Sequence, residues 1–172
     1  MRFGSFAFGQ STPPSDLTRV AQGERLLAWA VVPHPAPGAA ATIGGTRDAL
    51  YLPRRLAWEQ VASAEWDQDE STLRVVEVGE FGQRRAVHVI RLSEADRLLQ
   101  LVRERVTASI AVQRHVEVAP RKSVRVLARQ APARRGDLAW FVEYDEGVDP
   151  ADPEVATIVE GALASARADV GQ

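Results

Sequence analysis

The chain reads as an α+β protein: a run of short antiparallel strands closed by a helix, then a smaller unit of three strands and one helix. Three observations predict this. Turn signals recur every eight to twelve residues between β-branched runs from about residue 41 to 92. Apolar residues with helical spacing follow Ser93. From Ser109 onward the alternation resumes for three more runs and ends in a second amphipathic stretch.

Residues 1–22 mix Gly, Ser, Pro and Phe without a sustained period, so a flexible tail is expected there, docked if at all by Phe3, Phe6 and Phe8. The stretch from Glu24 to Val32 is apolar at both parities, which predicts a strand that is central or covered. Pro33, Pro35 and Pro37 lack the N–H that a ladder needs, so residues 33–38 form a loop. Short strands are expected at 41–43, 46–52, 55–58, 62–67, 72–78 and 85–92, with a turn at Gly44-Gly45. Ser93 has the chemistry of a helix N-cap, and Ala95, Leu98, Leu99, Val102 and Val106 give the helix one apolar face.

In the second unit the strands are expected at 110–118, around Val124, Val126 and Ala128, and at 138–144. Asp152-Pro153-Glu154 then supplies an N-cap, a proline at the first helical position and an acidic first turn, ahead of Val155, Ile158, Val159, Ala162, Leu163 and Ala166. The expected organisation is a tail over 1–22, a β-rich module with its closing helix over 23–106, and a βββα unit over 107–172 packed on it as one body.

Composition narrows the chemistry. At 172 residues, 45% apolar and 26% charged, the chain is long enough for one domain or two small ones with a sizeable core. It contains no cysteine, which excludes disulfides, thiolate nucleophiles, iron-sulfur clusters and cysteine-based zinc sites. No stretch approaches the 18 or so apolar residues of a membrane span. A cytoplasmic location is expected.

The seven short strands and one helix over 24–106 have the element order of pleckstrin-homology-like domains. The segment Gly45-Thr46-Arg47-Asp48-Ala49-Leu50-Tyr51-Leu52 resembles the place where such bacterial domains carry a Thr, a basic residue and an apolar strand, and Arg55-Leu56-Ala57-Trp58-Glu59-Gln60-Val61 resembles their next strand and turn. The resemblance covers about half the chain and implies two sheets, as a sandwich or barrel, capped by the C-terminal helix. Arginine-rich, alanine-rich usage, with Lys122 the only lysine, is similar to that of high-GC actinobacterial proteins. Lipid-binding members of the fold hold phosphates against basic residues of the first hairpin loop; here that loop, residues 33–41, has no Lys or Arg, so an inositol lipid is not expected.

Charge is segregated along the chain. Residues 1–92 are balanced, residues 93–136 carry 10 basic against 4 acidic side chains, and residues 137–172 carry 1 against 9. Arg114, Arg121, Arg125, Arg129, Arg134 and Arg135 therefore form a candidate arginine ribbon for an anionic ligand, nucleic acid or partner. Arg121, Arg125 and Arg129 would share one face of a strand. Against this stands neutralisation by the acidic segment from Asp145 to Glu154, together with the scarcity of interleaved aromatics. The carboxylate groups at 65–70 and 145–152 lack the glycine and terminal glutamate of a calcium loop and read as turn and capping residues. His34, His88 and His115 sit in no catalytic signature, and GxSxG, GxGxxG and phosphate-loop motifs are absent. Trp29, Trp58, Trp66 and Trp140 lie in strand-like runs, and at least three are expected in the core.

These observations favour a non-enzymatic protein-interaction or scaffold module without catalytic residues, metal or cofactor, whose partner is another protein. Binding of an anionic ligand or nucleic acid through the ribbon is the alternative, and an enzyme whose site is invisible to local motifs is the third reading.

Overall fold

The computed structural model describes residues 12–21, 23–52, 54–79, 84–133 and 136–172. A short helix α1 (Ser15–Val20) precedes β1 (Leu26–Val31), β2 (Thr42–Thr46), β3 (Ala49–Tyr51) and β4 (Arg55–Ala57), which pair antiparallel in that order as one four-stranded sheet. A single 3-10 turn, Trp58–Gln60, leads into β5 (Val61–Asp67), β6 (Thr72–Glu77) and β7 (Val87–Arg91), the second antiparallel sheet. Helix α2 (Asp96–Ser109) follows. The third sheet is built from β8 (Ile110–Ala119), β9 (Lys122–Arg129) and β10 (Ala139–Tyr144), with β9 in the middle, and α3 (Pro153–Asp169) ends the chain. The protein is thus α+β with three antiparallel sheets.

One core joins the first two sheets and α2. Ala28 and Ala30 of β1, Ile43, Leu50, Leu56, Trp58, Leu73 and Val75 meet Leu98, Leu101 and Val102 of the helix. The two sheets are stitched at one corner by an isolated bridge in which Val31 and Ser93 exchange backbone hydrogen bonds at 3.2 and 2.9 Å. The third sheet has its own small core, where Val124 packs on Val155 and Val159 of α3. Asp152 caps α3 as its sequence predicts, accepting from the Glu154 N–H at 2.8 Å, with Pro153 as the first helical residue.

Several expectations need correction. Within the tail expected over 1–22, Ser15–Val20 form α1, whose Leu17 is 2% exposed and whose Asp16 accepts from Thr42 Oγ1 at 2.6 Å; residues 1–11, with Phe3, Phe6 and Phe8, lie outside the described residues. Of the two alternatives for β1 the covered one holds: it is an edge strand whose outer side is covered where Leu26 and Trp29 pack with Leu17. Ser93 is spent on the bridge to Val31, and Ala95 occupies the N-cap of α2 without a side-chain hydrogen bond.

The turn expected at Gly44-Gly45 is a correction with a packing cause. Both glycines lie inside β2, between β1 and β3. A Cβ on Gly44 would stand 2.9 Å from Leu17 Cδ1, and one on Gly45 would stand 2.7 Å from Leu101 Cδ2. Helices therefore press on β2 from opposite faces, α1 outside and α2 inside, and only residues without side chains fit between them. The chain bends instead at Arg47-Asp48.

Candidate functional site

Five of the apolar residues on α2 are too many for one stripe. Leu98, Leu101 and Val102 enter the core, whereas Leu99 and Val106 are only half-buried and face β5 across an open groove. The groove holds about 510 Å³, with Leu99, Arg103, Val106 and Thr107 on its helical wall, Ala64 and Trp66 on its strand wall, and Leu73 beneath.

The strand wall is also a sheet edge, because among the described residues β5 pairs only with β6. Backbone bonding decides which of its polar groups are free. The Glu77 N–H donates to the Ala86 carbonyl at 2.9 Å, so Leu73, Val75 and Glu77 turn their polar groups toward β7, and Thr72, Arg74 and Val76 turn theirs toward β5. Their partners Ser63, Glu65 and Asp67 are thereby engaged, and the N–H and C=O of Ala64 and Trp66 point away from the sheet. The side chains of the same two residues line the groove. Free ladder groups and an apolar cleft are thus presented side by side.

The edge ends at Ala62, the extra residue where the β5–β6 register slips. Its carbonyl accepts a hydrogen bond from Arg129 Nη2 at 2.8 Å.

That contact takes Arg129 out of the expected arginine ribbon. Arg129 is 3% exposed, and its Nη1 donates to Ser109 Oγ at 2.9 Å. Burial lowers its proton affinity below that of a free guanidinium. Arg125 is exposed and paired with Glu143 on the neighbouring strand, directly opposite in register. Arg121 lies in the turn before β9 at φ 60°, off the strand. Arg114 faces the other side of the sheet, where it pairs with Asp169 and reaches Ser165 on α3. Arg134 and Arg135 lie outside the described residues. Arg114, Arg121, Arg125 and Arg129 are therefore divided among a buried clamp, a turn and two opposite faces, and these four form no common row.

The acidic C-terminal residues 137–172 do pair with ribbon arginines, as expected, but the direct ion pairs fall outside the stretch from Asp145 to Glu154. Glu143 and Asp169 take Arg125 and Arg114, while Asp145, Asp149 and Asp152 accept from backbone N–H and hydroxyl groups. Asp145 accepts from the Ser123 N–H and hydroxyl at 2.8 and 2.6 Å, and these bonds hold its carboxyl below the ordinary range. Asp149 accepts from the Ala151 N–H, and Asp67 accepts from the Glu70 N–H, both turn geometries. Among the described residues no group of His, Asp or Glu is arranged to hold a metal ion. Replacing Arg121 and Arg125 together by Ala is expected to change stability by no more than about 1 kcal/mol, as for exposed pairs. Adding Arg129→Ala should cost about 1–3 kcal/mol more, because a buried acceptor, Ser109 Oγ, and a half-buried one, the Ala62 carbonyl, lose their donor. Urea midpoints of the double and triple variants check this, and equal midpoints would refute the clamp.

Two other polar clusters tie strands together. Glu24 accepts from Thr46 Oγ1 and from Arg55 Nε, the latter at 2.8 Å; burial pushes its carboxyl up, but those donors outweigh burial and leave it below the ordinary value. Glu77 sits between Arg54 and His88 Nε2, the histidine at 2.6 Å, and is likewise lowered by its partners against the effect of burial. His34 and His115 are exposed. Of the tryptophans only Trp58 is fully buried; Trp66 and Trp29 are half-buried and pack against the core clusters, and Trp140 is half-buried with Arg167 over its ring at 5.8 Å. Trp66 is half-buried because it lines the groove.

No family model, no curated protein and no solved structure matches this chain. Among the described residues no helix is long and apolar enough to cross a membrane.

Proposed function

We propose that this protein is a non-enzymatic interaction module of pleckstrin-homology-like architecture that receives an extended peptide segment of a partner protein along β5. The architectural part of the reading is supported by the order of seven strands and a helix, arranged as a four-stranded and a three-stranded sheet around one core. The functional part is carried by one observation: Ala64 and Trp66 offer unpaired ladder groups on the same strand whose side chains line an apolar groove. Main-chain hydrogen bonds would give affinity, and a large apolar side chain dropping between Trp66 and Leu99 would give selectivity. Burying such a side chain contributes about 1.5–3 kcal/mol, or about one to two decades in affinity. The cytoplasmic setting expected from the sequence belongs to the same proposal.

Selection of random dodecapeptides displayed on phage against the immobilised protein tests it. The expected result is enrichment of sequences with an aromatic or large aliphatic residue in an alternating, strand-forming context. Leu99→Asp should then weaken the enriched peptides by at least about tenfold, with far-UV circular dichroism unchanged. Proline placed at a ladder position of the peptide should abolish binding. No enrichment, or enriched peptides indifferent to Leu99→Asp, would rule the reading out. Arg114, Arg121, Arg125 and Arg129 form no common row, which is why the peptide reading is preferred to the nucleic-acid alternative.

A further inference from the structure

Arg129 reaches from the C-terminal unit to both walls of the groove. One arm of its guanidinium holds the Ala62 carbonyl of β5, and the other holds the hydroxyl of Ser109, the last residue of α2. Ser109 is itself locked: it is fully buried, its hydroxyl donates to the Val106 carbonyl at 2.7 Å, and its carbonyl accepts from the Gln130 N–H at 2.9 Å. Val106 lines the groove. The bond network thus runs from one wall to the other through a single side chain supplied by β9.

Stability alone is a poor reason for this residue. A buried guanidinium is costly to desolvate, and among the described residues no carboxylate lies within ion-pair distance of Arg129; its acceptors are neutral. What an arginine offers that an apolar residue cannot is a rigid planar fork that fixes two acceptors at a set separation.

We infer that Arg129 is a positioning residue of the groove, setting the spacing of α2 from β5 and, by occupying the Ala62 carbonyl, ending the stretch of edge on which a strand can pair. The C-terminal unit acts through it as the fixed end wall of the groove, so an added strand pairs at Ala64 and Trp66 and stops there. This rests on the reading of the groove as a peptide site for its purpose, but its geometry is measured without a peptide.

The chain has no cysteine, so two introduced ones label cleanly. Glu65→Cys on β5 and Thr107→Cys on α2, both exposed, carry a nitroxide pair for pulsed dipolar distance measurement. With Arg129 intact a single narrow distance is expected. Arg129→Met, which holds neither wall, should broaden and lengthen it. Arg129→Lys, which has no fork to span two acceptors, should do so as well, and Ser109→Ala should give an intermediate width. A residue that only adds stability would lower the unfolding midpoint and leave the distance in the folded protein unchanged. An unchanged distribution in folded Arg129→Met or Arg129→Lys overturns the inference; if circular dichroism shows the Met variant unfolded, the Lys and Ser109→Ala variants decide it. Broadening without any phage enrichment would leave the positioning role standing and remove the peptide reading alone.

Discussion

Trp58→Ala is expected to lower the unfolding free energy by about 3–5 kcal/mol, the range for deleting a large aromatic from a well-packed core. Trp58 is fully buried at the corner between the two sheets, and its Nε1 donates to the Thr46 carbonyl at 3.1 Å. Its ring also abuts Gly45, so the variant loses packing against β2, gains a void and leaves a buried carbonyl without its donor. Because the net stability of a domain is about 5–15 kcal/mol, the variant should be near its threshold at room temperature. Urea unfolding followed by circular dichroism measures the change. Trp58→Phe, which keeps most of the ring and loses the N–H, separates the two contributions and should cost markedly less. A loss below about 1 kcal/mol for Trp58→Ala would contradict the packing described for this corner.

Gly45→Val should destabilise by about 1–3 kcal/mol or more, for the opposite reason: too much volume. Its Cβ would sit 2.7 Å from Leu101 Cδ2 and 3.2 Å from the Trp58 ring. The leucine end can swing aside, but the indole is held by its bond to Thr46 and by the surrounding core. Gly45→Ala should therefore be milder than Gly45→Val, and pairing Gly45→Val with Leu101→Ala should recover part of the loss. β-propensity alone predicts the reverse order, since valine favours strands over glycine. Thermal midpoints of the three variants distinguish the accounts.

The order of elements was legible in the sequence because it rests on local periodicity and punctuation: β5, β6, β8, β9 and β10 fall within a residue or two of the alternating runs, and α3 begins at the cap its Asp152-Pro153 pair announces. What escaped was set by neighbours distant in the chain. Gly44-Gly45 has the composition of a turn, and only the arrival of Leu17 and Leu101 makes it strand. Ser93 has the composition of a cap, and only its pairing with Val31, 62 residues away, diverts it. The arginines looked alike by spacing, yet a buried carbonyl at Ala62 claims one and carboxylates on β10 and α3 claim two others. The groove itself left one trace, the excess of apolar residues on α2 beyond what a single buried stripe uses, visible in the adjacent pairs Leu98-Leu99 and Leu101-Val102.

The strand pressed between α1 and α2 has a thermodynamic consequence. β2 contributes two glycines at the point of contact and hence almost no side-chain grip of its own; beyond its ladders to β1 and β3, the packing that orders it there is supplied by Leu17 from one side and Leu101 from the other. Whichever helix docks first removes the backbone entropy that the second would otherwise have to overcome. The two dockings are linked equilibria, and linkage is reciprocal: α1 strengthens the seating of α2 by the same factor by which α2 strengthens the seating of α1.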